Sequence, residues 1–246
     1  MRLIAGMAVG VLGLMLAACS DNTSYKDRFA DKGLQACVAD TLRKEGLNEL
    51  GEIRELLCQD EGVQTLAGLD ALYNLEELYL QNNELASLKG MGQLPALRII
   101  SVAGNRQLQS LEGLEGAPAL EEFQANKCSQ LSGISALGQL PELKIVAAMM
   151  GQVSDISALA SLQQLEDVTF NYNQVVNIDA LADKPALRKV MLYSNPLGDI
   201  SPLLGNPALE AVGIGGDNLE HCDVIEQLEK DMGPEAILYG PERCAS

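Results

Sequence analysis

Leucine and isoleucine recur along this chain with a period much longer than a single helix or strand can set. The leading positions are Ile53, Leu75, Leu97, Leu120, Leu143, Leu165, Leu187 and Leu209, at steps of 22, 22, 23, 23, 22, 22 and 22 residues. Such a period marks a solenoid, in which each coil buries its apolar side only against the next coil. Within a coil, Leu78 and Leu80 alternate with Glu77, Tyr79 and Gln81. This two-residue alternation predicts a short strand with the leucines inward and the other three facing the open side. Asn83 then falls where the chain must turn, and a buried amide there can bond backbone groups of its own and the adjacent coil. The matching positions are Glu61, Asn83, Asn105, Cys128, Gly151, Asn173, Asn195 and Asp217. Apolar residues next recur at every third place, as in Leu85, Leu88, Met91 and Leu94, or Val153, Ile156, Leu159 and Leu162. That spacing predicts 3-10 or short helical turns on the opposite, convex side. Pro95, Pro118, Pro141, Pro185 and Pro207 each lie two residues before a leading Leu. They end the convex segment and turn the preceding residue to extended geometry for the next strand.

The run Leu75-Glu-Glu-Leu78-Tyr-Leu80-Gln-Asn-Asn83-Glu-Leu85 reads L-x-x-L-x-L-x-x-N-x-L and resembles the leucine-rich repeat over residues 53–219. The 22-residue length and the L-x-x-L-x-x-L convex segment look most like the internalin-type subclass. The resemblance implies an α/β solenoid: a right-handed, curved horseshoe of about eight coils with a parallel concave sheet that binds other proteins. It implies no invasion role and no particular receptor, because function on such scaffolds resides in grafted sites.

The chain divides into a signal segment (1–18), a short linker (19–26), an N-terminal helical cap (27–52), the repeats (53–219) and a C-terminal helix-strand cap (220–246). Met1-Arg2 carries the charge of the signal segment, Leu3 to Leu16 its apolar core, and Leu16-Ala17-Ala18-Cys19 closes it. The tetrapeptide is similar to a bacterial lipobox, which implies that Cys19 is acylated and becomes the mature N-terminus. The alternatives are an ordinary signal peptide cut after Ala18, or a single membrane span. For the span, the 16 uncharged residues Leu3–Ala18 fall short of the roughly 20 required. Ser20, in place of Asp, follows Cys19, which by the resemblance to sorted lipoproteins implies the outer membrane of a Gram-negative envelope. Whether the anchored protein faces the periplasm or the exterior stays open. The polar stretch before the cap is short, which keeps the solenoid close to the bilayer.

The formal charge is −17, and loss of residues 1–18 removes only Arg2 among the charged groups, leaving −18. A surface so acidic repels nucleic acid and anionic head groups; it reads as solubility or as preference for a cationic partner. Five cysteines remain beside Cys19, and export predicts pairing. Cys37 falls on a helix over about residues 31–45, with Leu34, Val38 and Leu42 on the same face and Gly46 ending it. Cys58 takes the inward place equivalent to Leu80, so a Cys37–Cys58 bond would staple the cap onto the first coil. The competing reading keeps both reduced in the core. Asp223-x-x-Glu226 opens a second helix bearing Val224, Ile225, Leu228 and Met232, and Cys222–Cys244 would fasten that closing cap. Cys128, at an asparagine-ladder position, is expected to be a buried and inert thiol.

Catalytic chemistry is not expected. His221 is the only histidine and lies beside the closing cap, so neither a Ser-His-Asp triad nor a Cys/His zinc site has its parts. No metal and no cofactor is implied. The recurring pairs Glu76–Glu77 and Glu121–Glu122 read as solvated strand edges.

The strand frame assigns three outward columns. The first holds Glu55, Glu77, Ile99, Glu122, Ile145, Asp167, Lys189 and Ala211; the middle Leu57, Tyr79, Ser101, Gln124, Ala147, Thr169, Met191 and Gly213; the third Gln59, Gln81, Ala103, Asn126, Met149, Asn171, Tyr193 and Gly215. Ile145, Ala147 and Met149 make one coil wholly apolar, with Ile99, Met191 and Tyr193 on other coils. Apolar groups gathered on a rigid concave surface predict an interface. Tyr79 and the acids Glu55, Glu77, Glu122 and Asp167 border it and favour a basic protein or peptide. Two other readings remain: the patch is covered by a homodimer, or the fifth coil is simply degenerate, as Gly151 in place of Asn suggests. A structural or self-associating envelope protein without a discrete ligand is the alternative function.

Overall fold

The computed structural model describes residues 26–215, 222–232 and 237–239. Nine three-residue strands form one sheet, each pairing in parallel with the next in chain order. They are β1 (Glu55–Leu57), β2 (Glu77–Tyr79), β3 (Ile99–Ser101), β4 (Glu122–Gln124), β5 (Ile145–Ala147), β6 (Asp167–Thr169), β7 (Lys189–Met191), β8 (Ala211–Gly213) and β9 (Ile237–Tyr239). The register pairs equivalent repeat positions, such as Glu77 with Ile99 and Tyr79 with Ser101. The outward columns are therefore straight rows of neighbouring side chains. On the convex side 3-10 turns recur, among them Ser135–Gln139, Ser157–Ser161 and Asp179–Leu181. The leading Leu, the inward strand residues and the convex leucines form one continuous core running the length of the horseshoe.

The N-terminal cap is α1 (Lys32–Glu45). Asp31 caps it and also ties it to the first coil: Oδ1 accepts from the Leu34 amide at 3.0 Å, and Oδ2 accepts from the amides of Gln64 and Thr65 at 2.8 and 3.3 Å. Gly46 ends the helix at φ 68°, the left-handed cap that glycine adopts without a side-chain clash. The disulfide Cys37–Cys58 spans Cα atoms 5.4 Å apart and staples α1 to β1. The reduced-core alternative is thereby set aside. At the other end, α2 (Cys222–Met232) starts one residue ahead of the expected Asp223 and buries Val224, Ile225 and Leu228. Cys222 is disulfide-bonded; Cys244, its expected partner, lies outside the described residues, as do Cys19 and His221.

The asparagine ladder works as expected, and it explains its own exceptions. Asn83 Oδ1 accepts from the Val63 amide of the preceding coil at 3.0 Å, while its Nδ2 donates to Cys58 O and Leu80 O at 2.6 and 3.0 Å. Asn105, Asn173 and Asn195 repeat the scheme by accepting from Leu85, Val153 and Val175. Cys128 and Gly151 cannot accept in this way, yet both follow the two coils that have 23 residues. In those coils the extra residue sits just after the ladder position and closes a turn on the coil's own backbone. The Leu108 amide donates to Asn105 O at 3.1 Å and the Leu131 amide to Cys128 O at 2.9 Å. The amide that the next ladder residue would have received is already satisfied. Cys128 need only donate, and its Sγ lies 3.3 Å from Val102 O. Gly151 is crowded besides, since a Cβ there would stand 2.9 Å from Asn173 Oδ1. The fifth coil is therefore not degenerate; its missing asparagine is the partner of a longer fourth coil.

Candidate interaction surface

The residue after each leading Leu or Ile alternates in sign along the whole solenoid: Arg54, Glu76, Arg98, Glu121, Lys144, Glu166, Arg188 and Glu210. Parallel register brings successive members side by side, and ion pairs form between Arg54 and Glu76 (3.1 Å), Arg98 and Glu121 (2.7 Å), Lys144 and Glu121 (2.8 Å), and Arg188 and Glu210 (2.8 Å). Arg98 first and Lys144 second hold the Glu121 carboxyl down at about 2. The pairs Glu76–Glu77 and Glu121–Glu122 are thus not equivalent carboxylates. The first of each belongs to a neutralised row; the second stands in the first outward column and takes part in none of the ion pairs among the described residues.

The first half of the concave face collects these unneutralised acids around Tyr79. The Tyr79 hydroxyl donates to Glu77 Oε2 at 2.7 Å. This bond, then burial, then the charges of Glu77, Glu55 and Glu122 push the phenol up to about 12. Glu122 accepts from the Gln124 amide group. Beside Tyr79 in the register, Ser101 is only 1% exposed and its hydroxyl has no hydrogen-bond partner, as is also true of Gln81 Oε1.

The second half carries an apolar cluster beside Asp167 and Lys189, and this cluster extends past the sheet to the rim. Ile145, Ala147, Met149 and Tyr193 are half-buried, as is Ile99 further back. Asn126 and Asn171 stiffen the third column by accepting from the Met149 and Tyr193 amides at 3.0 and 2.8 Å. Asn171 Nδ2 also lies 3.7 Å from Met149 Sδ. Beside them stand Met150, 47% exposed, and Tyr172, 50% exposed. The Tyr172 ring meets Tyr193 edge to face at 5.7 Å between centroids.

The strand alternation does not reach Met150 and Tyr172, because they occupy the turn just before the ladder position. In every coil from the first to the seventh that turn residue has positive φ: Asp60, Asn82, Gly104, Lys127, Met150, Tyr172 and Ser194. Gly, Asn and Asp tolerate that region; a bulky side chain there costs about 1 kcal/mol or more. Bulky apolar residues at a left-handed turn were the signal in the sequence that could have found them. One expectation fails: Met191 is 8% exposed and does not join the patch. The register puts it beside Gly213, where an unbranched side chain has room to lie against the sheet. The acid Asp167 and the apolar Ala147 are half-buried at their expected places.

A family model for leucine rich repeats (2 copies) matches residues 73–116. Internalin I of Listeria monocytogenes is 41% identical over 58 residues, which is 24% of this chain and 3% of that protein. The chain thus spans a small fraction of the length of the curated relatives it matches. Among solved structures, an internalin (inlF) of L. monocytogenes superposes with a TM-score of 0.61 at 21% identity, covering 84% of this chain and 68% of its own. Internalin C2 of the same organism gives 0.53 at 23% identity, covering 77% and 96%. The chain has the fold of the internalin-type leucine-rich-repeat solenoids. In this solenoid the sheet, its register and the ladder recur from coil to coil, whereas the acid cluster and the apolar rim are outward residues that the repeat leaves free to vary. Among the described residues no group of three or more His, Cys, Asp or Glu is placed to hold a metal ion.

Proposed function

We propose that this protein is a lipid-anchored cell-envelope protein, held in the outer membrane through Cys19, that binds a protein or peptide partner with its concave sheet and the adjoining rim. Internalin-type solenoids are protein-binding scaffolds, and the observation that carries the reading here is the Met149, Met150, Tyr172 and Tyr193 cluster. Two of these residues hold left-handed backbone that polar residues occupy in other coils, and they use it to present exposed apolar surface. Strain of that sort persists where surrounding structure enforces it and function rewards it. Tyrosine and methionine supply contact area at small entropic cost and adapt to irregular partners. The anchor rests on the Leu16-Ala17-Ala18-Cys19 tetrapeptide.

Two experiments test the proposal. The mature protein is used as bait on envelope extract beside a Met150→Asn, Tyr172→Asn version; a partner retained by the first and lost from the second is expected. Equal retention by both would remove the rim from the binding site. Metabolic labelling with a radiolabelled fatty acid should mark the wild type and not Cys19→Ser; label on both would sink the anchor. Self-association is the competing use of the same rim. A sedimentation experiment in which dimers form and disappear with the double substitution would favour it.

A further inference from the structure

The two halves of the concave face differ in chemistry, and the acid half carries features that solubility does not require. Glu55, Glu77 and Glu122 lie outside the alternating ion-pair row, although that row, one residue away, neutralises Glu76 and Glu121. In the register Glu55 lies directly beside Glu77, and Glu122 stands two strands further on with Ile99 between them, so the three acids line the row that flanks Tyr79. The register sets Tyr79 beside Ser101, whose outward hydroxyl is almost wholly buried and unpartnered. A metal ion is a poor candidate, since no carboxylate group among the described residues converges with ligand spacing. Carboxylates fanned around a half-buried tyrosine ring instead suit an organic cation, which meets the acids by ion pairing and the ring face by cation–π contact.

We infer that the concave face reads an extended segment of a partner protein, seating a lysine or arginine at Tyr79 among Glu55, Glu77 and Glu122, with an apolar residue of the same segment at the Met150–Tyr172 rim. This rests on the proposed partner-binding role and gives the partner its chemistry. The spacing follows from the sheet. From β2 to the turns after β5 and β6 is three to four strands at about 4.8 Å each, with about three residues along the strand at right angles, or roughly 17–22 Å in all. An extended chain covers that distance in about five or six residues. The cation and the apolar anchor therefore stand about that far apart, an arrangement that a compact polyamine cannot reproduce. The charge of −18 on the mature chain, read from the same composition, adds a long-range attraction that salt weakens.

The test is selection of linear peptides from a phage-displayed library on the mature full-length protein in detergent. Individual winners are then titrated against wild type, Glu77→Gln/Glu122→Gln and Met150→Asn/Tyr172→Asn. Neither acid makes an ion pair among the described residues, so an unchanged unfolding midpoint is the control for the first variant. Expected are peptides with Lys or Arg about five or six places from an aromatic or aliphatic residue. Each pair of substitutions should weaken binding about tenfold, and salt should abolish only the acid-dependent part. Winners that need the rim but show no preference for basic residues would overturn the inference while leaving the partner-binding role intact. If no winner depends on the rim, both fall. Winners that are basic but bind equally to the rim variant, or are displaced by spermidine alone, would overturn the two-point reading.

Discussion

The first four coils and the last four use the same backbone and differ in what they present: the first sets three acids beside Tyr79, with Leu57 and Ile99 among them, and the second gathers apolar residues beside Asp167 and Lys189. In both halves the strand residues Leu78, Phe123, Val146 and Val190 are fully buried, and asparagines at 83, 105, 173 and 195 bond the neighbouring coil in the same way. Yet β1 to β4 show acids around Tyr79, while β5 to β7 show Ile145, Met149 and Tyr193 backed by Met150 and Tyr172. The repeat thus separates two tasks. Inward positions are interchangeable because every coil buries against an identical neighbour, and outward positions answer only to what binds there.

Four expectations probe that separation, the largest first. Replacing Cys37 and Cys58 by Ser should cost about 3 kcal/mol in urea unfolding, since the bond closes a loop of 21 residues. Loss confined to the first coils, seen by amide exchange, would show that stability is local, whereas uniform loss would show one cooperative horseshoe. Asn105→Ala and Asn173→Ala should each cost about 2–3 kcal/mol, similar in the two halves, because each strands a buried amide of the preceding coil, Leu85 or Val153, and removes two further bonds to carbonyls. Cys128→Ala should cost well under half as much, given its single weak bond. A markedly cheaper Asn173 would break the claim that both halves share one scaffold.

Smaller effects test the outward faces. Met150→Asn and Tyr172→Asn should each raise stability by about 0.5–1 kcal/mol by relieving left-handed strain, while removing partner binding. A loss of stability would mean that the apolar rim packs for the fold and not for a ligand. The smallest effect is acid titration of the ion-pair row. The Glu121 pKa is depressed in the fold, so its contribution is present above the ordinary carboxylate range and is lost as pH falls from about 4.5 toward about 2. Glu121→Gln should flatten that part of the pH–stability profile by less than about 1 kcal/mol, and high salt should shrink the difference. No flattening would remove the row from the stability of the sheet.

Much of this molecule could be read directly from residue spacing. The strands, the ladder, the helical caps and the Cys37–Cys58 bond all follow from positions that must be buried, and burial leaves a periodic trace. Alternation alone misplaces Met191, because it gives the side a residue faces but not how far it projects, and the neighbour Gly213 alters that. Met150 and Tyr172 leave no trace in the apolar period, because the turn they occupy has no apolar requirement. Only its positive φ, seen coil by coil, shows them to be costly choices. Gly151 looked like decay until the turn at Leu131 showed that the longer coil before it had already satisfied the amide.

The sequence by itself determined a stacked parallel solenoid, its caps and the column to which each outward residue belongs, because a 22-residue apolar period admits few ways to bury itself. The tertiary structure alone decided which carboxylates are neutralised by the next coil and which remain open. It also decided which apolar side chains reach solvent. Those outcomes depend on contacts between residues some 22 places apart, and the charge or size of one side chain does not carry them.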